Sequence, residues 1–247
     1  WFTVDMDSHT FKFSNAVVLA PLAAILSIWI VFWAEVQFGI NLNDYGIYPR
    51  RLSGLRGVFF SPFIHGSIEH LYNNTIPLAV LTAFLFYFYQ SAAIRVLLFG
   101  TLLSGLLTWC IARPSYHIGA SGVIYLLASF IFFKGILAKN YRLVALSLVV
   151  VFVYGSMIWY IFPVKDGISW EGHLSGFAMG LVFALVTKVR LPEVRKYAWE
   201  RDDYNEADDP FLQHFDEHGN FIETKPDTTE ETIEIRYHYK KSEEDWF

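Results

Sequence analysis

The sequence predicts an all-α membrane protein, a six-helix transmembrane bundle followed by a charged C-terminal cytoplasmic tail. Three observations carry that prediction. The 247 residues are 54% hydrophobic and 18% aromatic, with a mean hydropathy of +0.33, more apolar than a water-soluble domain of this length. The average conceals a split: residues 16–189 are apolar with few charges, while residues 190–247 are strongly charged and supply most of the formal net charge of −5. Within 16–189, apolar runs recur at the length that crosses a bilayer, about 20 residues.

The first run is 16–39. Residues 1–15 before it lack the basic region of a signal peptide, so the run is expected to be a retained span behind a short cytoplasmic segment. The connection 40–68 is neither apolar enough to span nor polar enough for a solvated loop. Tyr45, Tyr48, Phe59, Phe60 and Phe63 are interleaved there with Arg50, Arg51 and Arg56, a mixture suited to a membrane interface, and a part-helical segment lying in one leaflet is expected.

Further spans follow at about 69–91, 93–112, 119–135, 142–163 and 171–189. The run 119–135 is short for a crossing. It fits if its start lies below the surface, lining a cavity or held inside protein. Cys110, the single cysteine, excludes an intrachain disulfide and a cysteine-based metal site; in its apolar run it is expected to be a buried structural thiol.

Lysines and arginines set the orientation. Arg95, Lys134, Lys139, Arg142, Lys188, Arg190, Arg195 and Lys196 fall on one side; Arg50, Arg51, Arg56, Arg113 and Lys165 fall on the other. The larger set marks the cytoplasm, which places both termini there and 40–68 outside. With no organellar targeting segment, a bacterial plasma membrane is expected. The tail 190–247 reads as acidic and partly disordered, with one period-two stretch, residues 232–239, that suits a strand. His214, His218 and His238 lack metal-ligand spacing and read as surface residues. No basic patch interleaved with aromatics points to nucleic acid.

The chemistry-bearing residues stand at helix starts. With six alternating spans, the second, fourth and sixth run in the same direction. His70 and Asn74 open the second, Ser121 in Gly119-Ala120-Ser121-Gly122 opens the fourth, and His173 opens the sixth, so topology alone puts all of them at one depth near the outer face. His70 and Asn74, four residues apart, share one helical face, and Tyr125 lies one turn below Ser121. Gly172, Gly176 and Gly180 form a small-residue stripe that permits close helix approach, with Gly122 as the matching surface. A serine hydroxyl needs a base to take its proton, and a neutral histidine suits that task. The oxyanion then needs donors, which the Ser121 amide and the His70 and Asn74 side chains supply. Asp166 and Glu171 are near His173 in sequence but read as helix-end charges beside water; His65 and Glu69 read as solvated, and His117 as a loop residue. A metal site from His65, Glu69 and His70 lacks a second cluster to complete it.

These motifs resemble the rhomboid family of intramembrane serine proteases. The resemblance runs over 16–189 and rests on Gly119-Ala120-Ser121-Gly122 with Tyr125, on His65 through Asn74, and on Gly172 through Gly180. It implies Ser121 as nucleophile and His173 as base. It further implies His70, Asn74 and the Ser121 amide as oxyanion donors, Tyr125, Gly119 and Gly122 in support, and no cofactor. Substrates would be transmembrane segments cut near the outer face, where small or helix-breaking residues let the strand unwind. Where the family often has Trp-Arg in the loop after the first helix, this chain has Leu55-Arg56. A catalytically silent relative that binds membrane helices for quality control or trafficking is the alternative, and the retained serine and histidine speak against it. A small transporter would show paired broken helices and midplane charges, and the sequence has neither.

Overall fold

The computed structural model describes residues 11, 13–165, 167–189 and 197–222. The chain divides into two compact units, Trp1–Val194 and Arg195–Phe247. The first is all-α. Its main helices are α1 (Ala16–Phe38), α2 (Ile68–Phe88), α3 (Gln90–Ile111), α4 (Ser121–Leu137), α5 (Tyr141–Tyr154) and α6 (Trp170–Val186). α5 continues as a 3-10 segment, Gly155–Ile161. α1, α2, α3 and the continuous Tyr141–Ile161 are long and apolar enough to cross a membrane; α4 and α6 are apolar but shorter, at 17 residues each.

The helix boundaries have local causes. α1 ends where Gly39 adopts φ 61° and its amide closes on the Glu35 carbonyl, a left-handed cap that needs glycine. The Ser67 hydroxyl accepts the His70 amide at 3.1 Å and caps α2; the Asn140 side chain does the same for α5 with Arg142 at 3.0 Å. α2 and α3 are separated by Tyr89 alone, so Ser91 belongs to the third helix rather than the second. Tyr89 is fully buried and packs edge-on against Phe130, and that anchor, not a polar turn, fixes the break. α6 stops at Val186, three residues short of the expected end.

The short helices are the interior ones. α4 is buried along most of its length and packs against α6, α5, α2 and α3. α1, at the periphery, packs on α2 and leaves most of its apolar surface exposed, as suits a hydrocarbon solvent. α4 and α6 meet most closely. A Cβ on Gly176 would collide with the Gly122 carbonyl, one on Gly180 with the Leu126 carbonyl, and one on Gly122 would touch the Gly172 carbonyl at 3.4 Å. The expected small-residue stripe is therefore the contact surface itself. Ser129 donates across it to the Phe177 carbonyl (2.8 Å), and Lys134 Nζ to the Ala184 carbonyl (3.0 Å).

The 40–68 connection is part helical: short turns at Asn43–Tyr45, Leu52–Arg56, Gly57–Phe60 and Ser61–Phe63. It is firmly tied despite the absent tryptophan beside Arg56. Arg56 donates to the Asp44 carbonyl (2.9 Å) and covers the Tyr45 ring, Arg50 reaches the Ala112 carbonyl (2.8 Å), and Trp109 donates to the Arg51 carbonyl (2.9 Å). Cys110 is exposed, not buried. The inward face of α3 runs Ala93, Val96, Gly100, Ser104 and Thr108, and a residue two past Thr108 points away from it.

In the second unit, residues 197–222 form short 3-10 turns; His218 is exposed and His214 is half-buried beside Phe221. Arg190, Arg195, Lys196, His238, the 232–239 stretch and Asp166 lie outside the described residues.

The helix contact predicts an asymmetry. Gly180→Ala forces its methyl into α4 backbone and should destabilise by about 1–3 kcal/mol. Gly155→Ala meets only the Val151 side chain at 3.5 Å, in right-handed backbone, and should be neutral or slightly stabilising. Thermal unfolding of both variants in detergent micelles checks this: equal melting temperatures would refute the close-contact assignment.

Candidate active site

Ser121 is the first residue of α4, reached through a turn that only glycine tolerates: Gly119 has φ 107°. The turn is clamped from the 40–68 side. His117 and Ile47 exchange backbone hydrogen bonds (3.0 and 2.9 Å), the Gly119 amide donates to the Ser61 carbonyl (2.8 Å), and the Ala120 amide donates to His65 Nε2 (3.4 Å). His65 is 2% exposed; burial, and then the neighbouring His70, push its pKa down to about 4. It is thus neutral near pH 7 and able to accept that amide. The expected solvated His65 is instead part of the loop clamp.

α6 brings His173 to Ser121. His173 Nε2 and Ser121 Oγ are 2.9 Å apart, and His173 Nδ1 is 2.9 Å from the Tyr160 carbonyl oxygen. A carbonyl only accepts, so Nδ1 carries the proton and Nε2 presents its lone pair to the serine hydroxyl. Tyr125 lies parallel to the imidazole, ring centroids 4.3 Å apart and planes inclined by 10°, and donates its own hydroxyl to the Met157 carbonyl at 2.7 Å. One ring face and both nitrogens of His173 are therefore constrained by α4 or by the Gly155–Ile161 segment.

The α2 residues meet this centre at Gly119. A Cβ there would stand 2.6 Å from His70 Cε1, 2.7 Å from His70 Nε2 and 3.7 Å from Asn74 Nδ2. Both side chains thus end beside the turn that delivers Ser121. Asn74 Nδ2 is buried and has no hydrogen-bond partner in the protein. A buried unpaired donor costs about 1–3 kcal/mol, a cost that an incoming oxyanion would relieve. A small cavity of about 40 Å³ adjoins Ser121, with Ser104, Thr108, Gly122 and Gly172 in its wall.

Several participants were not singled out by sequence reasoning. His117 is a loop residue, as expected, but a buried one: its Nδ1 accepts the Ser169 hydroxyl (2.6 Å) and its Nε2–H donates to the Arg113 carbonyl (3.0 Å), while burial lowers its pKa. Glu171 is 2% exposed rather than beside water. Its Oε1 accepts the Arg113 amide at 3.2 Å and pairs with Arg113 Nη1 at 3.4 Å, and Arg113 Nη2 donates to the Ile168 carbonyl at 2.7 Å. Together these tie the 112–117 loop to the start of α6, and the side-chain contacts of Glu171 are made at that junction. The position of His117 two residues before Gly119 was the available signal. Tyr160 had none, because it acts through its backbone carbonyl. Glu69 is exposed, and no group of three or more His, Cys, Asp or Glu side chains suited to a metal ion occurs among the described residues.

Comparison with known proteins agrees with these motifs. The rhomboid domain family model matches residues 53–190. Uncharacterized proteins of Mycobacterium bovis and Mycobacterium tuberculosis are each 34% identical over 189 residues, covering 73% of this chain and 78% of theirs. An uncharacterized protein of Mycobacterium leprae is 32% identical over 153 residues, covering 58% of this chain and 61% of its own.

Gly119→Ala should strain the turn and displace the His70 ring, while leaving the Ser121–His173 pair in place. We expect Ser121 to remain detectable by a fluorophosphonate probe but its labelling rate to fall by about tenfold to a hundredfold. A rate equal to that of the unaltered protein would remove Gly119 and His70 from the site.

Proposed function

Because this chain belongs to the rhomboid family, we propose that it is an intramembrane serine endopeptidase that cleaves transmembrane segments near the outer membrane face. The observation that carries the proposal is the 2.9 Å approach of Ser121 Oγ to His173 Nε2, with the opposite ring nitrogen held by the Tyr160 carbonyl. In this reading all six helices span, the lysine and arginine distribution puts both termini in the cytoplasm, and the membrane is a bacterial plasma membrane, in keeping with the mycobacterial relatives.

In the reaction, Ser121 gives its proton to His173 Nε2 as Oγ adds to the scissile carbonyl carbon. The resulting oxyanion takes hydrogen bonds from the Ser121 amide, at the N-terminus of α4, and from Asn74 and His70. The C–N bond breaks as His173 returns the proton to the leaving amine. Water, deprotonated by His173, then releases the acyl group from Ser121. The imidazolium formed in each half-step is stabilised by the Tyr160 carbonyl and the Tyr125 ring face rather than by a carboxylate. The 40 Å³ cavity beside Ser121 has room for a small side chain only, which favours substrates with a small residue at the cut. No cofactor enters this chemistry.

Fluorophosphonate labelling of purified protein, with mapping of the modified residue, tests the reading. We expect Ser121 to be labelled, and both labelling and cleavage of a reconstituted transmembrane substrate to be abolished in Ser121→Ala and His173→Ala. Asn74→Ala and His70→Ala should each slow turnover by up to about a hundredfold, the cost of one oxyanion donor. Absence of labelling in folded protein would favour the silent helix-binding alternative.

A further inference from the structure

An apolar cavity of about 350 Å³ lies on the far side of Tyr125 from the candidate active site, between α4, α5, the Gly155–Ile161 segment and α6. Its walls include Ala128, Phe132, Val151, Met157 and Phe177, and no residue of α2. The volume is within the range of small-molecule sites. We propose that it binds one acyl chain of a bilayer phospholipid, and that the bound chain holds the Gly155–Ile161 segment in the position that orients His173.

The lining chemistry selects the ligand. The Ser129 hydroxyl is committed to the Phe177 carbonyl and the Tyr125 hydroxyl to the Met157 carbonyl, leaving Tyr154 as the remaining lining hydroxyl. Such a pocket offers little to water or a phosphate and much to methylenes, which can fill it in close contact with its apolar walls. The lining residues Val151 and Ile158 are themselves exposed at 46% and 38%, so the cavity opens on the outer surface of the chain, on a helix that also presents Leu148 and Phe152, Phe152 at 91% exposure. In a membrane-spanning chain that surface meets hydrocarbon, so acyl chains are the molecules at its mouth.

The same residues connect the pocket to the site. Met157 lines the cavity and accepts the Tyr125 hydroxyl; three residues later the Tyr160 carbonyl takes the His173 Nδ1 proton. α5 packs chiefly on α4 and on the 155–161 segment, so little else braces this wall from outside. An occupant would press the segment against the tyrosine and histidine; without one, the segment is free to move away and take the Tyr160 carbonyl with it. This coupling rests on the Ser121–His173 reading, whereas acyl-chain binding does not.

The test uses the full chain in phosphatidylcholine vesicles that contain a phospholipid with a diazirine in its acyl chain. After irradiation, crosslinks should concentrate on Ala128, Phe132, Val151 and Met157 over freely exposed Phe152, and should be the same in Ser121→Ala. Ala128→Trp, and independently Val151→Trp from the opposite wall, should fill the cavity and reduce these crosslinks by about tenfold, in protein whose melting temperature shows it folded. Delipidated protein in detergent should regain fluorophosphonate reactivity at Ser121 by about tenfold on adding phospholipid, and the filled variants should be reactive without it. Crosslinks spread evenly over the outer surface, or displaced by a transmembrane substrate and not by phospholipid, would overturn the binding site. Cavity crosslinks with lipid-independent reactivity would overturn the coupling. Cavity crosslinks with no reactivity at Ser121 under any condition would leave the binding site standing, reject the coupling and count against the proposed protease.

Discussion

The backbone-to-backbone approach of α4 and α6 is the constraint on which the rest of the structure depends. Ser121 and His173 sit at the first turn of helices that touch through Gly122, Gly176 and Gly180. In hydrocarbon, neither helix is driven to its partner by the hydrophobic effect, so close packing and interhelical hydrogen bonds must hold them. The Ser129 and Lys134 bonds to α6 carbonyls add to the glycine contact at successive turns further down. A separation wider by the girth of one methyl would move the imidazole out of hydrogen-bond reach of the hydroxyl. The geometry of the polar pair is thus set by residues that have no polar side chain.

Placing α4 and α6, two helices of only 17 residues, against each other follows from the same constraint. A peripheral helix must match the bilayer in length, because its ends meet lipid; a helix enclosed by others need not. The turn that leads into α4 is covered by the 40–68 connection through Ser61, His65 and Ile47. That cover explains how an irregular turn with a left-handed glycine persists among apolar helices. The His117, Gly119 and Ala120 amides of the turn each have a protein acceptor, in an environment where an unpaired one costs several kcal/mol. The Asn74 amide is the exception, and it lies where the proposed chemistry would generate negative charge.

Much of this was legible in the sequence because topology and helical period are both periodic signals. The apolar runs located the six helices to within a few residues, and alternation of direction brought the starts of α2, α4 and α6 to one end, where the structure does assemble His70, Asn74, Ser121 and His173. What escaped was aperiodic. The break at Tyr89 carries no glycine, proline or charge, and arises from a tertiary anchor on Phe130. Cys110 looked buried because its surroundings are apolar, but in a membrane protein apolar surroundings do not distinguish the core from the lipid face; only the register of the small residues on α3 does. His65 and Glu171 looked solvated, and His117 looked like an ordinary loop residue, because they flank helix ends, whereas all three are buried in the fold.

The means of orienting His173 explains why no carboxylate was needed. A third charged member in a serine–histidine site holds the ring and fixes its tautomer. Here the Tyr160 carbonyl fixes the tautomer and the Tyr125 ring holds the plane, at none of the desolvation cost of a buried carboxylate. Among the described residues the buried carboxylate nearby is Glu171, whose Oε1 is engaged by Arg113 at the loop junction. Neutral orientation has a consequence. A carbonyl on a 3-10 segment is only as fixed as the segment, whereas a side chain from a packed helix carries its own bracing. The histidine is therefore most exposed to perturbation along Gly155–Ile161, whose outer wall is the apolar cavity rather than another helix. Helix packing brings the histidine to the serine, and that segment decides which nitrogen faces it.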